Sequence, residues 1–237
     1  MLETKDIQFS YQKRRLVLRN VNVQIEIGKI VVLAGENGSG KSTFLKVLAN
    51  LLQPQSGQVW LNGSEVTRTS LSEIAFMPDD QLYHPYLTGE QLFTFLASQF
   101  RDFEWARAKK IADYLRVDIT TKVSVMSKGN ISRLKLAAVF GRKARYYLLD
   151  EPFSGLDPLV REEIIKSIIQ FVDLENATIL LSTHELDDVS RVADELMILK
   201  DGEITAHESL ENIRSECGME PKEWFKSFYK KGRTKDE

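Results

Sequence analysis

Apolar residues along the chain follow two rhythms, and the rhythm changes twice. Across "VNVQIEI" (residues 21–27) they alternate, which predicts a strand with one buried face. "IVVLA" (30–34) is apolar throughout, the habit of a strand covered on both faces. A turn at "PQSG" (54–57), a short strand "QVWLN" ending before Gly63 and a strand "IAFM" (74–77) follow. From Thr88 to Phe140 the spacing lengthens to a helical period, which predicts three helices and little strand. In "TGEQLFTFLASQF", Thr88 and Gln91 are spaced as a capping box, with Leu92, Phe95, Leu96 and Gln99 at helical offsets. "WARAKKIADYL" (105–115) repeats the pattern with Ile111, Tyr114 and Leu115 inward, and "ISRLKLAAVF" (131–140) is the third helix.

Strand and helix then alternate. "YYLLD" is a strand, "PLVREEIIKSIIQFV" a helix, "ATILLST" a buried strand, "ELDDVSRVA" a helix, and "ELMIL" a strand before the turn "KDG". The last thirty residues, with Trp224, Phe225, Phe228 and Tyr229, read as a helical tail whose end "KKGRTKDE" is frayed. There is no internal repeat. The order implies one parallel sheet interrupted by a helical lobe: residues 1–87 and 141–205 form a core, 88–140 the lobe and 206–237 the tail.

Composition narrows the function classes. At 237 residues the chain is one large domain, or a core with a smaller attached subdomain. Its 34 acidic and 32 basic residues nearly cancel, so no nucleic acid is expected as partner. Cys217 is the only cysteine, which leaves no intramolecular disulfide and no cysteine-built zinc site and fits a reducing cytosol. The opening "MLETKDIQFSY" is not a secretory signal, and no segment approaches the ~20 consecutive apolar residues of a membrane-spanning helix.

The chemistry begins where the "IVVLA" strand ends. Gly35, Gly38 and Gly40 lack side chains that would block the main chain, so successive N–H groups can turn inward around an anion. The helix opening near Ser42 adds unsatisfied N–H groups and the positive end of its dipole. Lys41 supplies an ammonium, and the Ser42 hydroxyl can help hold Mg2+. The pattern G-x-x-x-x-G-K-[ST] is a nucleoside-triphosphate phosphate loop. A second constellation lies in "YYLLDEPFSGLDP" (146–158), where Asp150 and Glu151 leave a core strand at the sheet edge on which ligands of α/β folds collect. Asp150 would hold magnesium and Glu151 would polarise the attacking water. His184, in "LLSTHEL", repeats the strand-end position; His84 and His207 read as surface or hydrogen-bonded histidines.

These residues together resemble the nucleotide-binding cassette of ATP-binding cassette (ABC) transporters, over residues 2–205. "GENGSGKST", running Gly35, Glu36, Asn37, Gly38, Ser39, Gly40, Lys41, Ser42 and Thr43, is similar to its Walker A motif, and "YYLLDE" to its Walker B. "SGLD" (154–157) resembles the D-loop, "STH" carries the switch histidine His184, and Tyr11 sits where the family stacks an aromatic ring on adenine. The signature motif is less regular. "MSKGN" (126–130) keeps Ser127 and Gly129, which the resemblance assigns to the γ-phosphate, while Lys128 replaces a glycine and Asn130 a glutamine. In "FMPDDQL" Asp79 stands at the Q-loop position, an oxygen ligand for magnesium or water with shorter reach; Gln81 comes two residues late.

The resemblance implies an α/β fold: a P-loop NTPase core with a parallel central sheet, an N-terminal antiparallel β subdomain and an inserted helical subdomain. It implies ATP and Mg2+ as cofactors, a second ABC subunit in a homodimer or heterodimer, and a separate transmembrane permease. The expected place is cytoplasmic, peripheral on the inner face of the cell membrane. "MSKG", "DEPFSGLDPL" and "PYLTGEQL" are similar to a branch exporting peptides, antibiotics or lipid-linked compounds. A soluble cassette ATPase that remodels ribosomes or DNA is the alternative. Its ribosomal relatives generally carry two cassettes, and only about eighty residues separate Thr43 from Ser127, too few for a long coiled-coil excursion. A small-molecule kinase shares the phosphate loop but must avoid activating water, which Glu151 and His184 are placed to do.

Overall fold

The computed structural model describes residues 1–12, 15–67, 70, 72–79, 85–187 and 189–230. The first sheet is antiparallel, in the order β2 (Leu18–Ile25), β1 (Leu2–Phe9), β4 (Ser56–Leu61) and β5 (Ser64–Glu65). The second runs β10 (Glu203–Ser209), β9 (Glu195–Lys200), β3 (Ile30–Ala34), β8 (Thr178–Thr183), β7 (Tyr146–Leu149) and β6 (Ile74–Met77). From β9 to β6 every pairing is parallel; only β10 is antiparallel to its neighbour. The central sheet is therefore mixed rather than wholly parallel.

The apolar runs explain why this sheet lies at the centre. Side chains of a strand point alternately to opposite faces. In β3, Ile30, Val32 and Ala34 join one buried cluster while Val31 and Leu33 join the other. In β7, Tyr147 and Leu149 fall on the first side and Tyr146 and Leu148 on the second. The second side is closed by α1 (Lys41–Leu48), through Phe44, Leu45 and Leu48, and by the antiparallel sheet. The first side is closed by α4 (Lys128–Phe140), α5 (Pro158–Phe171), α6 (Leu210–Ser215) and α7 (Pro221–Lys230). Each such fully buried aliphatic or aromatic side chain contributes about 1.5–3 kcal/mol.

Between β6 and β7 stand α2 (Gly89–Gln99), α3 (Trp105–Tyr114) and α4. Thr88 caps α2 as the spacing predicts: its hydroxyl accepts from Gln91 N at 3.2 Å, and the Gln91 side chain accepts from Thr88 N at 3.0 Å. Arg142, buried just past α4, fixes the lobe to the core. Its guanidinium donates to both Asp102 carboxylate oxygens at 2.9 and 3.1 Å and to Ile74 O at 2.9 Å.

Several local expectations give way. Leu92 is buried and Leu96 half-buried on the core, but Phe95 and Gln99 are exposed, and Phe93 joins the buried face of α2 in their place. Tyr114 is partly exposed and packs edge-on against Phe171, with ring centroids 5.2 Å apart. In "ELDDVSRVA" the described residues show a 3-10 turn at Val189–Arg191 and no α-helix. β4 starts inside the expected turn, at Ser56, and β2 starts and ends earlier than its alternation suggested. β10 occupies the stretch where the helical tail was expected to begin, because Glu203–Ser209 pairs along β9 before α6 starts. Cys217 is free and exposed. His207 bonds Glu195 at 2.8 Å, whereas His84, Gln81 and the frayed end lie outside the described residues.

Candidate functional site

Parallel pairing in register brings the carboxyl ends of four strands to one rim. Ala34 lies beside Thr183, Leu149 beside Leu181, and Met77 beside Leu149. The residues that follow these ends are Gly35, His184, Asp150 and the Pro78–Asp79 step. One topological fact therefore gathers segments far apart in the chain.

The phosphate loop crosses from β3 to α1 through two left-handed glycines, Gly38 with φ +81° and Gly40 with φ +110°. At Gly35 a Cβ would lie 2.4 Å from Leu199 O, so no larger residue fits the loop's first position. Gly40 caps α1 without a side-chain acceptor, which leaves the first-turn N–H groups facing the cleft. Lys41, only 6% exposed, curls back over the loop. Its ammonium donates to Gly35 O at 2.8 Å and Glu36 O at 3.3 Å, and stands 3.4 Å from Glu151 Oε1. A positive charge is thus held among carbonyls and one carboxylate at the mouth of an N–H-lined turn, an arrangement suited to a polyanion.

Asp150 is 1% exposed. Its Oδ1 accepts from Ser42 Oγ at 3.0 Å and from Ser182 Oγ at 2.8 Å, while its N–H donates to Met77 O at 2.8 Å. Glu151 follows with φ +45°, a conformation uncommon for a residue with a side chain. Its N–H donates to Ser182 Oγ at 2.9 Å, which helps hold that conformation. The turn aims the carboxylate back at the loop, with Oε1 toward Lys41 and Oε2 2.9 Å from His184 Nδ1. Local strain of this kind persists where the surroundings over-determine it.

A cleft of about 520 Å³ opens over these groups; Tyr11, Asn37, Thr43, Asp79, Glu151 and His184 are among its lining residues. Tyr11 is 62% exposed, so it is not a buried strand-end tyrosine. Its ring stands edge-on to Phe9 at 4.9 Å, and its hydroxyl lies 3.2 Å from Thr43 Oγ1. Asp79 is exposed within the cleft. A larger adjoining cavity of about 1040 Å³ lies between Glu36–Ser39 and α7. There the Tyr229 hydroxyl accepts from Glu36 N at 3.4 Å, and burial pushes its pKa up.

Ser127 and Gly129 do not join this cleft. They stand at the start of α4, where Ser127 Oγ accepts from Asn130 N at 3.2 Å and remains exposed. The helix begins at Lys128, three residues before its apolar pattern. Ser182 escaped the sequence reading although it binds Asp150 and the Glu151 backbone; its signal was a hydroxyl following the apolar run "ILL" of a fully buried strand, two residues before His184.

Residues 18–154 match the family described as ABC transporter. The chain belongs to that family. It is an ABC ATPase, the ATP-binding subunit type of a transporter. It is 28% identical to the energy-coupling factor transporter ATP-binding protein EcfA2 of Ligilactobacillus salivarius, over 96% of this chain and 84% of that protein. It is 30% identical to the uncharacterized ABC transporter ATP-binding protein YcbN of Bacillus subtilis, over 91% of this chain and 72% of that one. Among solved structures, one described as the ATP binding subunit of an ABC transporter superposes with a TM-score of 0.83 at 27% identity, covering 97% of this chain and 99% of the other. No helix among the described residues of this ABC ATPase is long and apolar enough to cross a membrane.

Proposed function

We propose that this subunit powers a transporter whose membrane-spanning permease is a separate polypeptide, and that it works as a pair of cassettes closed by ATP. The observation that carries the reading is the separation of Ser127 and Gly129 from the cleft holding Lys41 and Glu151. One chain covers only one face of the triphosphate. The exposed start of α4, with its N–H groups and positive dipole end, is suited to cover the other face from a second subunit. ATP then stabilises the closed pair because it binds that state better, and hydrolysis removes the preference.

In this reading Glu151 orients and polarises the attacking water, and His184, hydrogen-bonded to Oε2, fixes the carboxylate's direction. Lys41 and the N–H groups of Glu36 to Thr43 hold the phosphates, and Tyr11 supports the adenine. The oxygen donors Ser42 and Asp150, already within hydrogen-bonding distance of one another, fit a hard cation, with Asp79 as a further donor. Mg2+ held there would neutralise charge on the phosphate oxygens. For direction and cargo we favour export of a peptide, antibiotic or lipid-linked compound, on the sequence stretches "MSKG", "DEPFSGLDPL" and "PYLTGEQL".

Size-exclusion chromatography with light scattering on the Glu151→Gln variant tests the pairing. ATP with Mg2+ should double the mass and ADP should not; a constant mass with ATP bound rejects the sandwich. Membrane fractionation with the co-expressed permease tests the partner: the subunit should pellet only when the permease is present.

A further inference from the structure

The seven residues from Leu134 to Phe140 are all buried, and one of them is a lysine. Lys135 is 4% exposed in the interior of α4, where the helix packs against β6. A buried ammonium is costly unless its donors are met. Here Nζ donates to Pro78 O at 3.0 Å and to Asp79 O at 2.8 Å. Those carbonyls belong to the segment that leaves β6 and presents Asp79 to the nucleotide cleft.

We propose that Lys135 is a positioning residue for the nucleotide: it locks Asp79 to α4, so that the carboxylate faces bound Mg·ATP only when α4 is correctly seated. The proposal rests on the reading of Asp79 as an oxygen donor toward magnesium. The geometry carries a further consequence. The start of α4 holds Ser127 and Gly129, and Lys135 lies about two helical turns further along. In a paired arrangement one rigid helix would touch the partner's ATP at its end and hold the Asp79 segment of its own site from its side. The two nucleotide sites would then be linked through a single buried ammonium.

Isothermal titration of ATP into the full chain, once with excess Mg2+ and once with EDTA, tests the role. Lys135→Met should weaken binding about tenfold with Mg2+, the usual worth of an outer group that orients a metal ligand. With EDTA its affinity should stay within about twofold of wild type. Lys135→Gln, which keeps a donor, should fall between and guards against a Met variant that does not fold. Asp79→Ala is run in parallel and should show the same Mg2+-selective loss. If Lys135→Met and Lys135→Gln lose affinity equally with and without Mg2+, or lose none, while Asp79→Ala shows the selective loss, Lys135 has no positioning role and the Asp79 reading stands. If Asp79→Ala shows no Mg2+-selective loss, the Asp79 reading falls and takes the proposal with it.

Discussion

Replacing Glu151 by Gln separates the two roles proposed for this carboxylate. As the group placed to activate water, its loss should lower ATP turnover by roughly 10²–10⁴, about 3–5 kcal/mol of barrier. Its effect on binding has the opposite sign. Without nucleotide, the Lys41 ammonium is shared among Gly35 O, Glu36 O and Glu151. At 3.4 Å the Lys41–Glu151 attraction is of order 5 kcal/mol gross at an effective dielectric of 20. Net of desolvation, a charge-assisted contact of this kind is worth about 1.5–3 kcal/mol. A bound triphosphate must draw Lys41 from this partner and also bring negative charge toward the carboxylate. Gln removes both penalties while keeping size and shape. We therefore expect ATP affinity to rise by about tenfold, the equivalent of about 1.4 kcal/mol, while phosphate release falls by at least two orders of magnitude. Titration calorimetry and a phosphate-release assay on one preparation read both quantities. Wild-type turnover, or ATP affinity weakened tenfold or more, would refute the placement of Glu151 between the ammonium and the water.

Three other expectations follow from separate parts of the molecule. Lys41→Ala should weaken ATP binding by at least about tenfold, since a buried cation facing the phosphates is lost; unchanged affinity by calorimetry contradicts its role. Asp102→Ala leaves the buried Arg142 guanidinium without its bidentate carboxylate and should cost about 3–5 kcal/mol in urea unfolding; a change below about 1 kcal/mol would mean that the lobe is anchored elsewhere. The Glu195 carboxyl is held down to about 2, chiefly by its hydrogen bond to His207, against the effect of burial, with Lys29 adding to the shift. A depressed carboxylate stabilises the fold above its unfolded value of 4.5, and that contribution fades as pH falls from there toward 2. Stability measured across that window should drop by about 3 kcal/mol more in wild type than in Glu195→Gln; parallel curves would remove Glu195 from the acid response.

How much of this could be read from the chain depends on whether the determining interaction is local. The phosphate loop, the exit of β7 and the Thr88 cap are local: a few adjacent residues carry the geometry, so their pattern is legible. β1 is not: "LETKDIQF" becomes a strand because β2 and the distant β4 supply its hydrogen bonds. "EITAHES" folds back on β9 across the Asp201–Gly202 turn, a hairpin whose turn was legible and whose second strand, lacking a clear apolar alternation, was not. The stretch 185–193 shows the reverse. Among its described residues Leu186 and Val189 are buried with a 3-10 turn and no α-helix, so the apolar spacing is satisfied without one.

The same distinction separates the site's visible members from its hidden ones. Lys41, Asp150 and Glu151 announce themselves as charges just beyond core strands, in the turns that form the sheet's carboxyl rim. Ser182 and Lys135 act from inside apolar segments, and a sequence read for hydrophobic period treats each as a tolerated blemish. Physically they are the less dispensable sort of residue. A polar group buried without a partner costs about 1–3 kcal/mol, and more when charged. Its presence in a core therefore points to whatever satisfies it. In this molecule both trails lead to the nucleotide rim: Ser182 to Asp150 and the strained Glu151 backbone, and Lys135 to the carbonyls beside Asp79. The precision of the site is thus set from beneath, by buried polar groups that hydrogen-bond the rim.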